Sequence, residues 1–376
     1  MVVTELNAGS ALSRLETPAP LVDLDRMERN ITRMARYARQ HGIALRPHIK
    51  THKSKVVAAQ QMSAGAVGLT CATPAEAVVM SAVCHDLLLA YPPVGAKAER
   101  LLSVPPSARV TVSLDSARAI DDLAIVARRS NREIGVYVEV DVGMHRVGVP
   151  TVDEAIALAR HVRASAPLQF AGVAFYPGHI RSTVASQDGE LATLTADIGR
   201  MLVAFDRAGL PPAIVSGGST PTMWRTHEMV GVTEMRPGTY VYNDRTTAEI
   251  GACSWDDCAF SVLATVVSTA VPGQAVIDAG AKALGREPMR GASGEGFGAL
   301  LDRPDVVVAR MSEEHGILDL SRTDWRPSVG DLVRVVPNHV CIVVHLNDLM
   351  YGVRGDRVDT SWPVDARGRS HPVVTA

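Results

Sequence analysis

A chain of 376 residues with a formal net charge of -2 and a pI near 6.6 is large enough for two structural units and carries no basic surplus to attract nucleic acid or anionic lipid. The opening stretch MVVTELNAGSALSRLETPAP lacks the charged end, apolar run and cleavage site of a leader, and no apolar run reaches the roughly 20 residues that span a bilayer. No membrane and no nucleic-acid partner is therefore expected, and the cytoplasm is the default compartment. The five cysteines are odd in number and dispersed, which fits a reducing compartment better than a disulfide framework.

In chain order, APLVDLD leads into RMERNITRMARYARQHG, where Met27, Ile31, Met34 and Tyr37 recur at helical spacing and Gly42 marks the stop. Eight short apolar runs follow: IALRPH, AVGLT, DLLLA, RVTVSL, IGVYVEV, FAGVAF, AIVS and VTEM. Between them lie helical segments such as TPAEAVVMSAV, AKAERLLS, SARAIDDLAIVARR and VDEAIALARHVRA. Strands alternating with helices, without hairpin signals until about residue 250, predict an α/β fold of the (β/α)8 barrel type; a doubly wound sheet is the competing parse. Beyond that point FSVLATVVSTA, AVIDAGAKAL, VVVARMSEEHGILDL, DLVRVVPNHVCIVVHL and DLMYGV read as a smaller all-β domain. The expected division is a barrel over 18–250 and a β-rich domain over 251–376, with residues 1–17 packing on the latter. GREPMRGASGEGFGAL (285–300) reads as a flexible loop, and CSWDDC (253–258) is a weak metal signal because no second cysteine pair follows it.

The lysines pose a sharper question. Among 38 basic residues, lysine occurs only at Lys50, Lys53, Lys55, Lys97 and Lys282, and three of these fall in RPHIKTHKSK (46–55). An amine can act as a nucleophile, whereas a guanidinium in practice cannot, so one of these lysines is a candidate for covalent chemistry. On the predicted barrel Lys50, Tyr91, Asp115, Arg146, Tyr176 and His179 all follow strands, at the rim where barrel enzymes build their sites. SGGST and RPGTY follow the seventh and eighth strands, where glycine lets backbone N–H groups approach a phosphate. A lysine across the barrel from such loops suggests a phosphorylated cofactor bound as an imine.

RPHIKTHK, EVDVGMHRVGV (139–149), FYPGH (175–179), SGGST (216–220), EMRPGTYVYND (234–244) and PNHVC (337–341) resemble, in order, the motifs of the pyridoxal-phosphate enzymes of the alanine racemase fold type, in the branch containing D-serine dehydratase and D-threonine aldolase. The resemblance implies that Lys50 forms the Schiff base with pyridoxal 5'-phosphate and shuttles the α-proton. It places Arg146 beside the cofactor ring or its phenolic oxygen, Tyr176 and His179 against the ring and the substrate, and Gly218, Ser219, Thr220, Gly238 and Thr239 around the phosphate. Whether Thr239 or Tyr240 points inward stays open, and Lys53 and Lys55 are expected to be solvated.

In the same family the PNHVC position holds the metal ligands, so His339 and Cys341 are the expected pair. Two residues apart on a strand they would share a face, and imidazole with thiolate favours Zn2+ over Mn2+ or Mg2+. Cysteine there is typical of the dehydratases and aspartate of the aldolases. The implied activity is metal-assisted dehydration of a β-hydroxy-D-amino acid to a 2-oxo acid and ammonia. Its alternatives are aldolase cleavage to glycine and an aldehyde, a biosynthetic relative, and, remotely, a non-catalytic pyridoxal-phosphate carrier. Relatives are dimers, so a homodimer is expected.

Overall fold

The computed structural model describes residues 8–289 and 294–369. Strands β1 (Ser10–Ala11) and β2 (Ala19–Asp23) open the chain. Then follow β3 (Ala44–Leu45), β4 (Leu69–Cys71), β5 (Asp86–Leu89), β6 (Arg109–Leu114), β7 (Ile134–Val140), β8 (Leu168–Phe175), β9 (Ile214–Gly217) and β10 (Glu234–Met235), with helices between them. The remaining strands are β11 (Phe260–Ser268), β12 (Gln274–Ile277), β13 (Gly298–Leu300), β14 (Arg303–Met311), β15 (Gly316–Asp319), β16 (Leu332–Pro337), β17 (Leu349–Arg354) and β18 (Arg357–Pro363).

The eight apolar runs are the eight strands β3–β10. They form one parallel sheet in the order β3-β10-β9-β8-β7-β6-β5-β4, and a parallel bridge between His48 and Thr70 joins its two ends. Strands such as β7 are buried along most of their length, as a parallel sheet covered by helices requires. The helices form where periodicity and caps agree. Met27, Ile31 and Met34 are buried on Leu24–Gln40; Thr73 and Ser116 cap Pro74–Met80 and Ala117–Arg129; Thr151 and Glu154 make a capping box for Val152–Ala164. Inside the sheet, buried Arg46 pairs with Glu234 at 2.7 Å and Asp86 at 2.8 Å, and Ser216 donates to Glu234 at 2.6 Å. Burial opposes the guanidinium charge, but Glu234 and Asp86 outweigh it and raise the Arg46 pKa.

The other compact unit is a second sheet in which β11-β12-β15-β14-β13-β16 closes through a β11–β16 pairing into a six-stranded antiparallel barrel. β2, β17, β18 and β1 extend it. The division of the chain differs from 18–250 and 251–376. The described residues up to 32, together with 181–183 and the described residues of 239–364, group with the β-rich unit, while 33–180, 184–238 and the described residues after 364 group with the parallel one. The reason is pairing partner. β2 hydrogen-bonds antiparallel to β11, with Val22 opposite Phe260, and parallel to β17. At the other end, Lys55 N donates to Asp365 Oδ2 at 2.8 Å and Ala366 N to Lys53 O at 3.0 Å. Part of the loop expected over 285–300 lies outside the described residues, and no described helix is long and apolar enough to cross a membrane.

Glu234→Ala leaves Arg46 half-paired and buried, so urea unfolding should show a loss of roughly 3 kcal/mol. A variant as stable as the parent would show that Asp86 alone neutralises the guanidinium.

Candidate active site

Lys50 sits in a 3-10 turn, Ile49–Thr51, immediately after the bridge residue His48. The turn is fixed by its neighbours. Lys50 N donates to His48 Nδ1 at 3.4 Å, and His48 N to Pro237 O at 3.0 Å. His52 is fully buried: its Nδ1 accepts from Ser54 N at 3.1 Å, which leaves Nε2 to donate to Gln61 Oε1 at 3.1 Å. Lys53, at φ 51°, pairs with the wholly buried carboxylate of Glu76, which also accepts from Ala72 N at 2.5 Å. The expectation that Lys53 is solvated is therefore corrected, because Glu76 supplies a buried counter-charge that the local sequence does not reveal. Lys55 is partly exposed and lies 3.2 Å from Asp365.

Three expected site residues meet at one ring. Lys50 Nζ lies 5.8 Å from the centroid of Tyr176, and the Arg146 guanidinium lies 4.9 Å from it. Tyr176 follows β8, and its ring crosses over Gly178, where a Cβ would come within 2.1 Å of a ring carbon. Arg146 rides on a loop braced by Asp141, whose Oδ1 accepts from Gly143 N and His145 N at 3.0 Å, and by Asp115, which accepts from Gly148 N at 3.0 Å. His179 is exposed and its ring stands against Gly143, on the same loop. Of the other rim residues, Tyr91 accepts from Lys97 at 2.7 Å in an exposed pair.

The two glycine loops have the shape of a phosphate cradle. Gly218 has φ +88°; Ser219 and Thr220 are buried, with Ser219 Oγ 3.1 Å from Thr222 Oγ1. A Cβ on Gly238 would come to 3.0 Å from His48 O and from Thr51 Oγ1, so glycine lets this loop close on the Lys50 turn without crowding it. An amine on a braced turn, a cation-flanked aromatic ring and close-approaching backbone fit pyridoxal phosphate.

In the β-rich unit, Thr239 is partly exposed, with Oγ1 3.9 Å from Cys341 Sγ, while Tyr240 is buried. His339 and Cys341 do not lie on a strand, which corrects the basis on which they were paired. β16 ends at Pro337, His339 immediately precedes the helix Val340–Leu346 without capping it through its side chain, and Cys341 occupies the first turn. They are nevertheless neighbours. Burial would lower the His339 pKa, but the charge of Cys341 and the hydrogen bond to Asp244 outweigh it and push the value up to about 11. Among the described residues no three His, Cys, Asp or Glu side chains gather into a metal-binding group. His339 and Cys341 are thus a two-residue donor pair, its imidazole hydrogen-bonded to Asp244, that would leave the other positions of an ion open.

Several contributors were not assigned from sequence. Arg236, in the quoted EMRPGTY, is buried and donates to Phe175 O at 2.9 Å and to Ser216 Oγ, tying the strand end before Tyr176 to the cradle. Asp244, in YVYND, carried a local signal: aspartate three residues before Thr247 is a capping box, and it caps Arg245–Glu249. CSWDDC is structural here. The Cys258 thiol donates to Asp244 O at 3.6 Å and that of Cys253 to Thr247 Oγ1 at 3.6 Å, and their mutual hydrogen bond together with burial pushes the Cys258 pKa up.

The chain belongs to the alanine racemase N-terminal domain family, whose model matches residues 22–246, and a serine dehydratase domain model matches 259–353. It is a pyridoxal-phosphate-dependent lyase, of D-serine dehydratase or D-threonine aldolase type. The 3-hydroxy-D-aspartate aldolase of Paracoccus denitrificans (strain Pd 1222) is 32% identical over 96% of this chain and 94% of its own. The D-threo-3-hydroxyaspartate dehydratase of Delftia sp. (strain HT23) is 35% identical over 88% of this chain and 92% of its own. One solved form of that dehydratase is a cysteine-to-alanine mutant in the metal-free form, with TM-score 0.84, 32% identity and coverage of 94% of this chain and 98% of that one. The crystal structure of D-threonine aldolase from Filomicrobium marinum has TM-score 0.89 at 33% identity, covering 97% of this chain and all of that one (100%).

Burial holds the His52 pKa down to about 4, against 6.5 when exposed. The unfolded chain therefore binds the proton more readily, and the contribution of neutral His52 is complete above pH ~6.5 and lost as pH falls towards 4, by roughly 3 kcal/mol. Urea midpoints taken from pH 7 to 4.5 should fall more steeply for the parent than for His52→Asn. Parallel slopes would remove His52 as a source of acid sensitivity.

Proposed function

We propose that this lyase dehydrates a β-hydroxy-D-amino acid of the D-serine type to a 2-oxo acid and ammonia, assisted by a zinc ion on His339 and Cys341. The observation that carries the reading is Cys341 beside an imidazole already oriented by Asp244. A thiolate in that pair favours a soft or borderline ion over manganese or magnesium. The relative solved as a metal-free cysteine variant is itself a dehydratase, which adds support.

When bound, pyridoxal phosphate supplies an electron sink for the charge left at Cα, and zinc a Lewis acid for the departing β-oxygen. Lys50 Nζ would hold the cofactor and, once freed from it, would take the proton from the substrate Cα, a role suited to an amine on a turn braced by the Lys53–Glu76 pair. Tyr176 would pack on or hydrogen-bond the cofactor ring, with the Arg146 guanidinium held against the Tyr176 ring. Ser219, Thr220 and the backbone at Gly218, Gly238 and Thr239 hold the phosphate. His179 stands on the substrate side. His339 and Cys341 would hold the ion.

The second reading, cleavage to glycine and an aldehyde, is favoured by the aldolase relatives, since the same residues serve it if the Cα–Cβ bond is the one that breaks. Product analysis separates the two. D-Serine should give pyruvate and ammonia; chelation should abolish turnover while leaving the cofactor's visible absorbance, and zinc should restore turnover best. Cys341→Asp should shift the metal preference to manganese or magnesium and lose most dehydration. Glycine plus an aldehyde from D-threonine or D-3-hydroxyaspartate, with no oxo acid from any D-β-hydroxy amino acid, would overturn dehydration in favour of aldol cleavage.

A further inference from the structure

We infer that Asp244 is the positioning residue of the metal site: its carboxylate fixes the His339 ring through Nδ1, so that Nε2 is the atom offered to the ion. The inference rests on the proposed metal pair and adds a residue that does not itself touch the metal. Asp244 is wholly buried. Its Oδ1 accepts from Thr247 N and Thr247 Oγ1, both at 2.9 Å; its Oδ2 accepts from Val340 N at 3.1 Å and faces His339 Nδ1 at 3.2 Å. Four contacts occupy the roughly four lone-pair sites of an ionised carboxylate. One side chain thereby caps Arg245–Glu249 and anchors the first N–H of Val340–Leu346, the helix that carries Cys341.

A histidine that donates Nδ1–H to a carboxylate is held in the tautomer whose Nε2 lone pair is free to ligate, and its basicity as a ligand rises. A carboxamide cannot reproduce this. Each carboxylate oxygen takes a backbone N–H, from Thr247 on one side and Val340 on the other, so an asparagine must turn its NH2 towards one of the two donors.

Zinc dissociation constants of the cofactor-loaded protein, read by competition with a chromophoric chelator, test the inference. Asp244→Asn should weaken zinc binding by about 10- to 100-fold with the cofactor absorbance unchanged, whereas Thr247→Ala, which disturbs the cap but leaves Oδ2 on His339, should stay within about threefold of the parent. Parental affinity in Asp244→Asn, or equal losses in both variants, would overturn the positioning role while His339→Ala still abolished binding. Zinc binding that survives His339→Ala would instead bring down the metal pair itself. If Asp244→Asn does not fold, 15N-histidine NMR of the zinc-loaded parent decides: a proton on His339 Nδ1 with the metal on Nε2 is expected, and the reverse would overturn the inference.

Discussion

A buried carboxylate, Glu76, holds the turn that carries Lys50. It neutralises Lys53 and accepts a backbone N–H from Ala72, so that a lysine in a left-handed conformation can stand three residues from the reactive amine without being solvated. The neutral His52 and the close approach of Gly238 brace the same turn from other directions. Each bond in this set is worth little alone, but breaking the ion pair would leave a buried charge, which makes the arrangement stiff. An amine held this way is pre-positioned for the proton transfer proposed for Lys50.

The parallel sheet was legible because its strands are short apolar runs and several of the helices between them are capped and periodic, local signals that survive in one sequence. Lys50, Arg146 and Tyr176 were named from motif position, and the structure brings them to one ring. Three features were not. APLVD reads as an apolar strand, but nothing local tells it to pair with Phe260–Ser268, more than two hundred residues away. VCIVVHL is rich in β-branched residues and reads as a strand; it is helical because Asp244, far upstream, anchors its first turn, an instance of tertiary context overriding propensity. Lys53 looked solvated because its partner lies on another element.

The β-rich unit gives the protein a choice that the parallel unit does not contain. His339 and Cys341 lie within one helical turn, and the carboxylate that aims the first also anchors the helix bearing the second. Ligand geometry and helix geometry are therefore set by one side chain. Under the proposed function, the softness of the His339–Cys341 pair is what would favour dehydration over aldol cleavage.

The most direct test of the cofactor assignment is to reduce the purified holoenzyme with borohydride, digest it and locate the pyridoxyl group by mass spectrometry. The structure predicts a single modified peptide with the group on Lys50 and unmodified Lys53 and Lys55. A pyridoxyl group on Lys53 or Lys55, or a coloured and reducible Lys50→Ala protein, would contradict it.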